Sequence, residues 1–402
     1  MTTQPAAVAT YVRVRHLPLA LAWLTTRALM LHLLVADDLG VGGVTGEVYV
    51  LYRRWYEQLA TGAFPEGDPT WQYPPGAGLV ILSPGALPGT TFFQGFVALT
   101  VLCDLAVTVA LARAGSTGAW YWTAGLPLLL HVPFGRYDVQ VTAFAVLGLL
   151  AVRTRPRVGG ALAGLGALVK VWPALTLIGT PRGRTTREAW TSAAVACAVL
   201  LGVVAAAFSG SLDFLRQQSD RGVQIESVGG TALSLAQRVH GGWQVEYRYG
   251  SMEVTGPYVS SVALLALVLT LAAFLWLLVW RVRAHRWSAA TPFDAALCAV
   301  LLFTVTSRVI SPQYLVWLLG LAAVCLTSRH TTQRLPALLL LPAAALSALA
   351  FPLLYGEVTS GTTVGCTVMV LRNGLLLTAA ALSCRSLWRA TAAKPRVPAR
   401  GA

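Results

Sequence analysis

Charged side chains are scarce in this chain, and several fall with aromatic ones into a few clusters. The first runs Gly46-Glu47-Val48-Tyr49, Arg53-Arg54-Trp55-Tyr56-Glu57 and Asp68-Pro69-Thr70-Trp71-Gln72-Tyr73-Pro74-Pro75. Others are Gly135-Arg136-Tyr137-Asp138, Lys170-Val171-Trp172-Pro173-Ala174, Asp220-Arg221-Gly222-Val223-Gln224-Ile225-Glu226-Ser227 and Ser307-Arg308-Val309-Ile310-Ser311-Pro312-Gln313-Tyr314. A carboxylate such as Glu47 or Asp68 can take the proton of an attacking hydroxyl. Arginine and lysine hold phosphate oxygens, so Arg27, Lys170, Arg221 and Arg308 are candidate anion contacts. Trp71, Tyr73, Arg136, Asp138, Gln224, Glu226, Gln313 and Tyr314 supply the rings, amides and charges that orient a sugar or its acceptor. A site needing both kinds of contact, at bilayer depth, suggests a sugar carried on a lipid phosphate.

The elements that position these groups are membrane helices. The chain is 56% hydrophobic and only 11% charged, with a mean hydropathy of +0.64, too apolar for a soluble domain. Apolar runs at 17–36, 90–112, 117–133, 139–152, 188–208, 258–280, 292–307, 311–327, 335–355 and 362–384 predict ten spans of an all-α polytopic membrane protein. The first run is long and lacks a small-residue cleavage site, so it reads as a retained span. Residues 1–390 read as one integral membrane domain, and the Pro/Arg-rich 391–402 as a disordered basic cytoplasmic tail.

A net charge of +14 would suit nucleic acid, but its distribution argues for topology instead. Alternate loops are basic, around Arg13/Arg15, Arg153/Arg155/Arg157, Arg182/Arg184/Arg187, Arg281/Arg283/Arg286, Arg329/Arg334 and the tail. The positive-inside rule makes these loops and both termini cytoplasmic. Every carboxylate except Asp104, Glu188 and Asp294 then falls on the outer side. No nucleic-acid partner is expected.

Residues 158–180 are long enough to cross once but have basic loops at both ends. They therefore read as a re-entrant pair of short helices, broken near Lys170-Trp172-Pro173, with Lys170 at the apex. The main outer loops are 37–89 and 209–257, expected to be helical. Residues 46–60 bring Tyr49, Tyr52, Tyr56 and Leu59 to helical spacing, as in an interfacial amphipathic helix. Trp243, Tyr247 and Tyr249 read as an interfacial belt. Asp104, inside a span, reads as the acceptor of a structural hydrogen bond. The six cysteines lie in or beside spans with no pairing framework or metal spacing, and no cofactor or metal is expected.

Taken in order, the clusters quoted above make the chain resemble glycosyltransferase family 87, membrane enzymes of the GT-C superfamily that use polyprenol-phosphate-mannose. The resemblance runs along most of the chain. It implies a GT-C-type fold, here with about ten full transmembrane helices, a re-entrant hairpin and helical outer loops. It further implies cell-envelope synthesis on the outer face of the cell membrane, a lipid-linked donor as substrate, a glycolipid or glycan acceptor, and a catalytic carboxylate in the first outer loop. GT-C enzymes usually place an aspartate in that first outer loop, where this chain has Glu47. Either Glu47 serves as the base, or Asp68 does, or the chain is silent. The reaction implied is a single inverting displacement at the anomeric carbon. The competing class, a lipid or sugar transporter or flippase, predicts repeated halves and broken helices in matched positions. Only one broken segment is legible, and no repeat.

Overall fold

The computed structural model describes residues 6–215 and 221–392, with side chains from residue 17 onward. The Arg13/Arg15 side chains, residues 217–220 of the second outer loop, and the expected tail from residue 393 lie outside the described residues. In chain order the first helices are α1 (Ala6–Ala36), α2 (Arg53–Leu59), α3 (Gly76–Leu82), α4 (Phe92–Ala114), α5 (Ser116–Gly125), α6 (Asp138–Ala151), α7 (Pro156–Val169) and α8 (Arg184–Ala207). After them come α9 (Val228–His240), α10 (Val259–Arg283), α11 (Thr291–Thr306), α12 (Tyr314–Leu326), α13 (Arg334–Ala348), α14 (Tyr355–Thr359) and α15 (Thr363–Thr391).

Among the described residues, six helices are long and apolar enough to cross a membrane: α1 from Leu17, α4, α8, α10, α13 extended to Leu353, and α15. The other four expected spans are short. Helices α5, α6, α11 and α12 have 10, 14, 16 and 13 residues, against the roughly 20 needed to cross hydrocarbon. Six long helices and a set of shorter apolar ones thus occupy the ten expected runs. The span expected at 117–133 breaks because Pro127 and Pro133 lack the donor a helix needs. It finishes as two 3-10 turns, Leu126–Leu129 and Val132–Gly135. The short helices form the core: α12 is buried without interruption from Leu315 to Cys325. The long helices α8 and α10 are only 17% and 11% buried over their most apolar windows. They present Val195, Val199, Leu264, Leu271 and Leu275 outward, as a helix facing lipid does.

The expected break in 158–180 is present. Helix α7 ends at Val169, Lys170 is extended (φ −156°, ψ 124°), and a 3-10 run Trp172–Gly179 turns back. Helix α8 lies parallel to α7 and very close. A Cβ on Gly160 or Gly164 would sit 2.0 or 2.5 Å from the carbonyl oxygen of Ala189 or Ala193, so the small residues are what let the backbones meet. Arg157 Nη2 lies 3.6 Å from Glu188 Oε1, and Gly179 packs on Pro292 at the start of α11. Both ends of the hairpin therefore sit at one end of the bundle.

The remaining basic loops converge there too. Arg281 donates to the Thr180 carbonyl, Arg182 donates to the carbonyls of Arg281 and Val282, and Arg286 Nη2 donates to Arg389 O at 2.9 Å. Asp294 accepts from Thr331 Oγ1 and the Thr332 amide at 2.6 and 2.8 Å. The opposite end holds the clusters rich in carboxylates and aromatic residues.

That end is not purely helical, which corrects the all-α expectation for the 209–257 loop. Strands β1 (Val223–Gln224), β2 (Gln244–Arg248) and β3 (Ser251–Thr255) form an antiparallel sheet in the order β1-β3-β2. Arg248 pairs with Ser251 across a two-residue turn, in which Tyr249 and Gly250 adopt φ of 53° and 75°. Two successive positive φ values match the twist of a tight hairpin, and glycine takes the second at no steric cost. Val223, Ile225, Val254 and Leu233 build a small core beneath the sheet, against Ala350, Val358 and Val368.

Candidate active site

The first wall of the site is folded by Asp37, just past the end of α1. Its carboxylate accepts from the Val44 and Thr45 amides at 3.1 and 3.0 Å, from the Thr45 hydroxyl, and pairs with His131 Nε2 at 3.1 Å. Burial pushes the Asp37 carboxyl up, but the hydrogen bonds from Thr45, His131 and Val44 outweigh it and hold it below the usual range. The loop so pinned delivers a π-helical turn, Glu47–Tyr52, which runs on into α2. Here the expected stripe holds at Tyr52 and Leu59, while Val48 and Trp55 take the inward places expected for Tyr49 and Tyr56. Val48, Tyr52, Trp55 and Leu59 face inward, while Tyr49 is exposed and stacks on Phe93 at 4.3 Å. Glu47 Oε2 lies 3.3 Å from Arg136 Nη2, and Arg136 Nη1 donates to the carbonyls of Val44 and Gly135 at 3.0 and 2.8 Å. Arg136 thus holds both the carboxylate and the loop that carries it.

The floor is the broken hairpin. Lys170 Nζ lies 2.7 Å from Asp138 Oδ1 and 4.9 to 5.6 Å from the ring centroids of Tyr73, Tyr137, Tyr314 and Trp317. Rings around an ammonium attract it through their negative faces and replace part of its lost hydration. Trp317 Nε1 also donates to Asp138 Oδ1 at 2.6 Å, so that carboxylate sits behind the lysine and not on open surface. Burial pushes the Tyr73 hydroxyl far above its ordinary range, which keeps it neutral.

The third wall joins the 221–227 and 307–313 segments. The Gln224 amide donates to Arg308 O at 3.0 Å, and the Ile310 amide returns a bond to Gln224 Oε1 at 2.8 Å. Arg221 spreads over three partners: Gln72 Oε1 at 2.7 Å, Ser251 Oγ at 2.8 Å and Glu253 Oε1 at 3.1 Å. Burial, with Arg221 alongside, pushes the Arg308 guanidinium below its ordinary value. Glu226 is 2% exposed, and burial pushes its carboxyl up to about 7, against the pull of Arg372.

These walls enclose a cavity of about 850 Å³, within the size range of small-molecule sites. Of the residues picked out from sequence, Glu47, Tyr73, Arg136, Lys170, Arg221, Gln224, Glu226, Arg308, Gln313 and Tyr314 line it. Asp138 lies directly behind, 1% exposed. Three others are elsewhere. Asp68 does not line the cavity; it accepts from Arg54, Thr70 and Trp55, whose bonds hold its carboxyl low against burial, which raises it. Trp71 is buried edge-on against Trp55 and Phe64. Arg27 is occupied by Asp104 through two bonds of 2.9 Å, and Asp104 also accepts from Trp23 and Trp122 at 2.7 Å.

Sequence reading missed several groups. Tyr247 and Tyr249, taken as an interfacial belt, line the cavity with Arg54, Gln72 and Trp317. Arg372 and Asn373 stand behind Glu226 in α15, and an arginine within an apolar span is itself a signal. Among the described residues no three His, Cys, Asp or Glu side chains come together as a metal site.

The sequence model of glycosyltransferase family 87 matches residues 71–312, which take in Lys170, Arg221, Glu226 and Arg308 and leave Glu47 just outside. No curated protein and no solved structure matches. The match covers more than half of the chain, which therefore belongs to glycosyltransferase family 87, a family of membrane glycosyltransferases.

Proposed function

We propose that this glycosyltransferase moves a hexose, mannose in the first instance, from a polyprenyl-phosphate donor to a glycolipid or glycan acceptor of the cell envelope. Its cavity end faces outward and both termini are cytoplasmic, a reading supported by the gathering of the basic loops at the other end. The observation that carries the reaction is the shared cavity: Glu47 stands on one wall, with Lys170, Arg221 and Arg308 on the others.

Glu47, oriented by Arg136, takes the proton of an acceptor hydroxyl as that oxygen attacks the anomeric carbon. The bond from that carbon to the phosphate oxygen breaks, and its electron pair leaves with the polyprenyl phosphate. Attack from the opposite face inverts the anomeric centre. Fixed cations aimed at the leaving group stabilise the charge it gains. Asp68 is held by Arg54, Thr70 and Trp55, which supports Glu47 as the base. The cavity-lining polar groups gather at one end of the bundle, which favours transfer over transport.

The test is purified protein in lipid, incubated with radiolabelled polyprenyl-phosphate-mannose and a membrane extract. A labelled glycolipid or glycan is expected from the native chain and none from Glu47→Gln. Arg308→Ala should weaken use of the donor. No labelled product from the native chain would overturn the proposal.

A further inference from the structure

Glu226 sits on the cavity wall, and nothing in its own surroundings satisfies it. Its Oε1 accepts one long bond from Gln224 Nε2, at 3.4 Å. Among the described residues its Oε2 accepts no hydrogen bond, and Arg372 Nη2 lies 3.6 Å away. A buried carboxyl oxygen without a partner costs free energy that a hydrogen-bond donor would restore.

The backbone beneath this carboxyl is clamped with unusual care. Arg372 Nη2 donates to Glu226 O at 2.6 Å. Asn373 Nδ2 donates to Glu226 O at 3.2 Å, to Ser227 O at 3.3 Å and to Thr231 Oγ1 at 2.7 Å. Arg372 is fully buried in α15, and among the described residues its Nε and Nη1 have no hydrogen-bond partner. Putting an arginine in the last long helix is expensive, and among the described residues its oxygen partners lie in the turn that presents Glu226. Lys170 on the floor, and Arg221 and Arg308 on the same wall as Glu226, supply cationic contacts, whereas Glu226 is a carboxyl suited to an uncharged hydroxyl.

We infer that Glu226 is the residue that reads the sugar, accepting a hydrogen bond from a hydroxyl of the donor's hexose, and that Arg372 is a positioning residue that holds it in place from the last helix. This rests on the lipid-linked-sugar reading of the cavity. It adds a division of labour, in which the cations hold the lipid phosphate and the Glu226–Arg372 unit distinguishes a sugar-bearing lipid from a bare one. Asn373 serves the same turn.

The experiment separates this inference from catalysis by measuring binding. Full-length protein in nanodiscs is titrated with polyprenyl-phosphate-mannose and, separately, with polyprenyl phosphate, followed by tryptophan fluorescence. The native chain should bind the sugar-bearing lipid at least about tenfold more tightly, the worth of one good hydrogen bond. Glu226→Ala should erase that preference while bare-lipid affinity stays within about twofold. Arg372→Met should do the same, and Arg372→Lys should restore part of it, which a general loss of packing would not. If Glu226→Ala fails to insert, Glu226→Gln keeps the volume and should cut the preference at least about threefold. A native chain with no preference, or variants that keep it, would overturn the inference. Loss of transfer with the preference intact would instead count against the catalytic reading alone.

Discussion

Lys170 and Asp138 form an ion pair, Nζ to Oδ1, 2.7 Å apart with exposures of 13% and 1%. They come from the apex of the broken hairpin and the first residue of α6, so one contact ties the hairpin to the central helix. Removing one partner of a buried pair leaves the other charge stranded, at roughly 3–5 kcal/mol. Lys170→Met should therefore lower stability by about that much, and Lys170→Met with Asp138→Leu should recover part of it. Thermal unfolding of the single and double variants measures this. Equal losses in both would show that the pair itself is not what matters.

Glu47 and Asp68 are separated by their surroundings, and kinetics can separate them too. Glu47→Gln should reduce turnover at least about a hundredfold while the melting temperature holds, as for loss of a general base. Asp68→Asn should keep turnover within about threefold and destabilise by about 1–2 kcal/mol, because it loses charge-assisted bonds to Arg54 and Trp55. Normal turnover by the Glu47 variant removes that residue from the mechanism.

Arg27 gives a control of the opposite kind. It was a phosphate candidate from sequence, but its bidentate pairing with Asp104 lies away from the cavity. Arg27→Leu should destabilise by roughly 3–5 kcal/mol and leave the donor affinity of the folded fraction unchanged. A selective fall in donor affinity would return Arg27 to the site.

Glu226 sets a pH dependence. Burial raises its carboxyl from 4.5 to about 7 in the folded chain, so between those values the folded state keeps a proton that the unfolded state releases. The contribution of this group to stability is then greatest below pH 4.5, falls as pH rises toward 7, and levels off above. The total is on the order of 3 kcal/mol. Melting temperatures in detergent at pH 5 to 8 should fall for the native chain and flatten for Glu226→Gln. Parallel curves for the two proteins would refute it.

Cysteines introduced at Pro156 and Arg184 should react with a membrane-impermeant reagent from the same side, the cytoplasmic one. Labelling from opposite sides would mean that 156–179 crosses fully.

What could be read from the residues divides along physical lines. Helix positions and the hairpin break were legible because apolar length and Pro173 act locally. The convergence of Glu47, Lys170, Arg221, Glu226 and Arg308 on one cavity followed from loop charge, since alternate loops must share a side. Helix lengths were not legible: an apolar run does not reveal that Pro127 and Pro133 stop α5 early, or that α12 is enclosed by neighbours and need not match the bilayer. Arg27 was misplaced because its partner, Asp104, sits 77 positions away. The β-hairpin was missed despite Tyr249-Gly250, since its short strands alternate only weakly. Arg372 stands out as an arginine in an apolar run, but its partner Glu226 lies 146 positions away.

The hairpin leaves and returns at one end of the bundle, so it adds an even number of passes to the chain's path. Deleting 156–179 and joining α6 to α8 through the shared basic turn would keep every later helix in its present direction. Helices α9 to α15 would remain correctly oriented but surround a site without a floor. The segment is therefore dispensable for topogenesis and indispensable for the cavity.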